Sequence, residues 1–116
     1  MLINPALVDG QIRGGFAHGI GMALYEEFNY DEAGQFLSGT FGDYLIPTVN
    51  EVPDPIILHT HSPSPFTPLG TKGVGEGNSM STPVCIANAV ADALDLKNVE
   101  LPLTPDRLAL LMSSRD

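Results

Sequence analysis

The sequence predicts an α+β chain, with buried helices packed on a small mixed or antiparallel sheet. Three observations lead there. A capping side chain precedes proline at Asn4-Pro5, Thr82-Pro83 and Thr104-Pro105, each the signature of a helix start. Residues 28–40 and 55–61 have the alternation or the β-branched, apolar composition of strands. Between them and the second helix start lies SPSPFTPLGTKGVGEGNSM (62–80), with three prolines, four glycines and no periodicity.

The first predicted element is a buried helix or helix pair around residues 5–25, where apolar side chains recur at roughly helical spacing. It also carries Gly10, Gly14, Gly15, Gly19 and Gly21. Each interior glycine costs about 1 kcal/mol relative to alanine, so this helix needs packing from outside itself. Small residues spaced by four let another backbone, or a ligand, come close. Next, Phe28 and Tyr30 alternate with polar neighbours, and Asp31-Glu32-Ala33-Gly34 is a turn signal. Residues 35–40 return as a second strand of a β-hairpin. Residues 41–55 hold three prolines and read as an extended connection, and PIILHTH (55–61) reads as a further strand.

The loop 62–80 is too long for a mere connection in so small a domain, and loops of that length tend to carry function or to be disordered. MSTPVCIANAVADAL (80–94) reads as a helix that is apolar almost all round and therefore buried, with Cys85 an inert interior thiol. NVELPL is a short strand candidate and PDRLALLM a closing helix. The glycine-rich face of the first helix and the small polar surface of the 80–94 helix both ask for cover from outside this chain.

Composition narrows the partners. The chain has 116 residues, enough for one small domain. Five Lys and Arg against 14 Asp and Glu give a net charge of −9. That excludes a nucleic-acid partner, which needs clustered basic residues, and docking on anionic membranes. The single cysteine excludes an internal disulfide and any multi-cysteine metal site built by this chain alone. No apolar run is long enough to insert in a membrane, and the N-terminus lacks the pattern of a signal peptide. A cytoplasmic location is expected.

The candidate chemistry centres on LGTKGVGEGNSM (69–80). One carboxylate, Glu76, sits between Gly75 and Gly77. The pattern is not a P-loop, because Lys72 precedes its glycine, and Asn78 stands where a dinucleotide fingerprint needs its third glycine. The residues alone allow a mobile loop with a solvated glutamate. On residue type alone that is the favoured reading, and the alternative is a close-approach site whose unshielded carboxylate acts as a general base. Gln11, beside Arg13 in the glycine-dense helix, is either an exposed helical side chain or a hydrogen-bonding group for a polar ligand. His59 and His61 share one face of the predicted strand, so they form a feasible metal-ligand pair or simply a polar strand edge. Ser62, Ser64, Ser79 and Ser81 lack the surroundings of a hydrolase nucleophile.

Four stretches in order, DGQIRGGFAHGIGMALYEEFNYDEAGQ, FGDYLIPTVNEVPDP, SPSPFTPLGTKGVGEGNSM and PVCIANAVADAL, together carry a resemblance. The chain resembles the C-terminal part of the molybdopterin-binding large subunit of the xanthine oxidase and aldehyde oxidase family. Within it, the likeness is greatest to chains labelled carbon monoxide dehydrogenase large chain, and it extends over residues 3–111.

The resemblance implies that residues 1–116 are the C-terminal segment of a larger molybdenum-binding domain, as a fragment or a split subunit. It implies a molybdenum-molybdopterin cytosine dinucleotide cofactor in the complete enzyme, absent from this chain alone. Glu76 would be the catalytic base beside the molybdenum, with Gln11 and Gly75 contacting the cofactor. The implied activity is a molybdenum hydroxylase that oxidises a small molecule, inactive as the isolated chain. The implied partners are the remainder of the molybdenum-binding subunit, an iron–sulfur subunit and an FAD subunit. The competing expectation is a non-catalytic remnant or interaction module of the same fold.

Overall fold

Asn4 starts the first helix as its sequence requires. Its Oδ1 accepts a hydrogen bond from the Leu7 amide at 3.1 Å, and Pro5 takes the first helical position. In the computed structural model, which describes residues 2–113, this helix (α1) spans Pro5–Leu24. Two more follow, α2 at Gly77–Ala93 and α3 at Pro105–Ser113, with a single 3₁₀ turn at Pro68–Gly70 between α1 and α2.

Two of the three predicted helix starts hold, and the third does not. Helix α2 begins at Gly77 rather than at Pro83, which lies inside it. Proline there deprives the helix of one backbone donor, and the local Thr-Pro signature cannot reveal that the chain is already helical before it. Thr82 is not a cap. It is buried against Gly19 of α1, close enough that a Cβ on Gly19 would overlap its side chain and stand 2.8 Å from Thr82 Cγ2. One turn earlier, a Cβ on Gly15 would stand 3.2 Å from Asn78 Cβ. Thus Gly15 and Gly19 form the smooth stripe on which α2 lies.

The expected sheet is contradicted: among the described residues there is no strand, only an isolated antiparallel bridge between Tyr30 and Phe36. The predicted hairpin is reduced to a tight turn. Asp31 Oδ1 accepts from the amides of Ala33 and Gln35 at 2.9 and 2.8 Å, and Gly34 takes a φ of +81°. Beyond the bridge, the amide of Asn29 goes to Ser38 Oγ at 2.9 Å instead of continuing a ladder. Residues 55–61 and the NVELPL stretch have strand-like composition but no strand beside them among the described residues. Composition is a local property, whereas a ladder needs a partner.

The interior sits where the C-terminal end of α1 meets the segment before α3. Ile20, Ala23 and Leu103 are buried, and the Leu103 amide donates to the Ala23 carbonyl at 2.6 Å. Arg107 of α3 closes this corner with a hydrogen bond to the Pro102 carbonyl at 3.0 Å and an ion pair to Glu27. On the other side, Tyr44 donates to Glu26 Oε2 at 2.5 Å, and Gly21 leaves room for Glu26 and Pro47.

This interior is small for the chain. A folded monomer of 12.3 kDa exposes roughly 6,100 Å², yet this one exposes 8618 Å². Its radius of gyration is 17.7 Å, against about 13 Å for a compact domain of this length. The outward face of α2 is uncovered, so the expectation of a buried helix and an interior Cys85 is corrected: the thiol is exposed, as are Met80 and Val84.

Candidate functional site

The Gly15–Asn78 and Gly19–Thr82 contacts fix the N-terminal end of α2 beside the middle of α1, and that placement assembles the site. Glu76 takes the N-cap position of α2, with φ −111° and ψ 7°. Its main chain is held, because the Gly77 amide reaches the Val74 carbonyl at 3.4 Å and Ser79 Oγ donates to the Glu76 carbonyl at 2.9 Å. Its side chain does not fold back to cap the helix. Among the described residues the carboxylate has no hydrogen bond or ion pair, so the backbone is anchored and the acid is left to face outward.

Gln11 comes to the same place from the other helix. Its Oε1 lies 3.8 Å from where a Cβ on Gly75 would stand. The structure therefore brings together Gln11 and Gly75, with Glu76 next in the chain, although they are far apart in sequence. Around Gly73 and Gly77 there is nothing within 4 Å of a Cβ position, and Gly10 and Gly14 on α1 are equally open. The glycines thus divide into two sets: Gly15 and Gly19 are filled by α2, and Gly10, Gly14, Gly73 and Gly77 face free space.

A wall of this kind lets a ligand approach the main chain closely, beside an amide and a carboxylate. It does not suit a metal held directly by this chain. Among the described residues, no group of three or more His, Cys, Asp or Glu is placed to hold an ion. The His59 and His61 pair is not assembled into such a site, since His59 Nε2 is 2.9 Å from Asp9 Oδ1 and ties residue 59 to α1.

Next to this wall runs a groove of about 320 Å³ between the start of α1 and the 59–63 and 70–74 segments. Ile12 and Val74, the neighbours of Gln11 and Gly75, form part of its lining, and Lys72 donates to Ser62 Oγ there at 3.0 Å. The chain before Lys72 is folded into a closed loop. Ser64 donates to the Gly70 carbonyl at 3.1 Å and Thr67 Oγ1 to the Thr71 carbonyl at 2.8 Å. The glycine loop therefore leaves from a braced base and is not a free tether. Among the described residues no helix is long and apolar enough to cross a membrane.

Comparison with known proteins places the chain in a family. The molybdopterin cofactor-binding domain family matches residues 1–53. The nicotine 6-hydroxylase large subunit of Paenarthrobacter nicotinovorans is 44% identical over 93% of this chain and 14% of that protein. The carbon monoxide dehydrogenase large chain of Afipia carboxidovorans is 38% identical over 86% of this chain and 13% of that one. The crystal structure of quinoline 2-oxidoreductase from Pseudomonas putida 86 superposes with a TM-score of 0.90 at 43% identity, over 99% of this chain and 15% of that chain. The chain thus spans about one seventh of the length of the relatives it matches. By sequence and by fold, it belongs to the molybdopterin cofactor-binding family of xanthine dehydrogenase and aldehyde oxidase type.

Proposed function

We propose that this chain supplies the catalytic base and one wall of the cofactor pocket in a molybdenum hydroxylase. The observation that carries the reading is the meeting of Gln11 with the Gly75–Glu76 loop across the α1–α2 contact. When bound, a molybdenum-molybdopterin cofactor, in its cytosine dinucleotide form, supplies the two-electron redox change at a carbon centre of a small-molecule substrate. Gln11 presents a carboxamide, donor and acceptor at once, to the edge of the cofactor. Gly75 keeps the adjacent backbone free of side chain. Glu76, its main chain braced by Ser79 and its carboxylate unengaged, takes up the proton released as the substrate carbon is oxidised.

The rest of the pocket belongs to the remainder of the molybdenum-binding subunit, and electrons leave through iron–sulfur and FAD subunits. Assembly takes place in the cytoplasm. Two relatives near 44% identity are named for nicotine and quinoline, so N-heteroaromatic compounds are the first substrates to assay.

Reconstitution tests the reading. The large chain of quinoline 2-oxidoreductase lacking the matched segment is co-produced with this chain and its partner subunits. Molybdenum content and dye-coupled quinoline oxidation should both appear only when this chain is present. Equal metal and equal turnover without it would overturn the proposal.

A further inference from the structure

Residues 56–60 carry a face that no other described residue uses. Ile56 is 92% exposed and Leu58 85% exposed, while Ile57 between them is half-buried and His59 turns back to Asp9 on α1. The ribbon therefore has an inner side fastened to α1 and an outer side made of two large aliphatic groups. Its backbone is equally unused. No backbone–backbone hydrogen bond joins residues 56–60 to any other described residue. Arg13 of α1 pairs with Asp54 just before the ribbon, so both ends of this stretch are pinned to the same helix. Exposed aliphatic pairs on a held backbone mark an interaction surface.

We infer that residues 56–60 are a docking ribbon for the remainder of the molybdopterin-binding subunit. Ile56 and Leu58 enter an apolar layer of that remainder, and the ribbon's amides find their hydrogen-bond partners there. This rests on the proposed function and identifies the surface through which that assembly is made.

Two observations select this occupant. The chain exposes roughly 2,500 Å² beyond the expectation for a monomer of its mass, an amount on the scale of obligate interfaces rather than transient ones. The same conformation, at a TM-score of 0.90, is found inside a solved chain of which it makes up 15%. The open shape is therefore the one this segment adopts when surrounded by its own subunit.

Hydrogen–deuterium exchange followed by mass spectrometry tests the inference, on this chain alone and in complex with the truncated quinoline 2-oxidoreductase large chain. Amides in 56–60 should slow by at least about tenfold on assembly. The Ile56→Asp/Leu58→Asp variant should weaken the complex by about tenfold or more, with the far-UV circular dichroism of the free chain unchanged. A complex that forms while these amides exchange as in the free chain overturns the ribbon and leaves the subunit reading standing. Absence of any complex overturns the subunit reading and the ribbon with it. Protection that appears in the chain alone, with a doubled mass that grows with concentration, makes a second copy the occupant and also overturns the inference.

Discussion

Replacing Gly19 with alanine puts the packing of the site to a quantitative test. In a solvent-exposed helix this change stabilises by about 1 kcal/mol, because alanine is the better helix former. At Gly10 nothing lies within 4 Å of the new Cβ, so Gly10→Ala should show that gain undiminished. At Gly19 the same methyl overlaps Thr82, a buried side chain on a rigid helix. Overpacking of this kind costs about 1–3 kcal/mol. The two variants should therefore differ by about 2 kcal/mol, or roughly thirtyfold in the unfolding equilibrium, with Gly10→Ala the more stable. Urea denaturation monitored at 222 nm reads the difference. Moving the bulk across the contact, in Gly19→Ala/Thr82→Gly, should recover most of the Gly19→Ala loss as a coupling energy. If Gly19→Ala stabilises as much as Gly10→Ala, the helices do not meet as described and the reason for Gln11 and Gly75 being neighbours disappears.

Two pH effects follow from hydrogen bonds away from the site. Tyr44 donates to Glu26, and this bond, followed by partial burial and the nearby Glu26 charge, raises its pKa above the ordinary phenol value. The folded state holds that proton more tightly than the unfolded chain, so this contribution is present below the ordinary phenol value and fades as pH rises through the raised one. The absorbance difference at 295 nm between wild type and Tyr44→Phe should place the transition above the ordinary phenol value, and Glu26→Gln should bring it down. Glu51 has the opposite sense: the Thr48 hydroxyl at 2.6 Å and then the Thr48 amide at 2.7 Å donate to its carboxylate and lower its pKa. The 48–51 turn should be fully formed above the ordinary carboxylate value and loosen as pH falls through the lowered one. A carboxyl carbon titration by NMR reads this, and Thr48→Ala should return the midpoint towards the ordinary value.

The parts of the fold legible in the sequence are those written in adjacent residues. Asn4-Pro5 and Thr104-Pro105 announce α1 and α3 because the fixed φ of proline, joined at Asn4 by a side-chain cap, is a local matter. Thr82-Pro83 has the same signature and misleads, since what distinguishes it is a turn of helix already formed upstream. The absence of a sheet among the described residues has a related cause. The 55–61 stretch has the composition of a strand, but pairing depends on a neighbour that composition does not mention. Cys85 looked interior because its helix is apolar, yet the surface that would cover α2 is not supplied by the described residues.

In the candidate site, the glycine setting of Glu76 is legible in the sequence, and the meeting of Gln11 with Gly75 is not. The signal was present in the small residues Gly15 and Gly19, which needed only the identity of the helix that lies on them.

The proposed role of Glu76, a base and not a structural acid, is tested most directly by one measurement. In the assembled enzyme, molybdenum per subunit and dye-coupled turnover are measured for wild type and Glu76→Gln. Metal content should be unchanged and turnover lowered by about 10²–10⁴-fold, the usual contribution of a positioned general base. Full turnover in Glu76→Gln, or a loss of activity that merely tracks a loss of molybdenum, would contradict it.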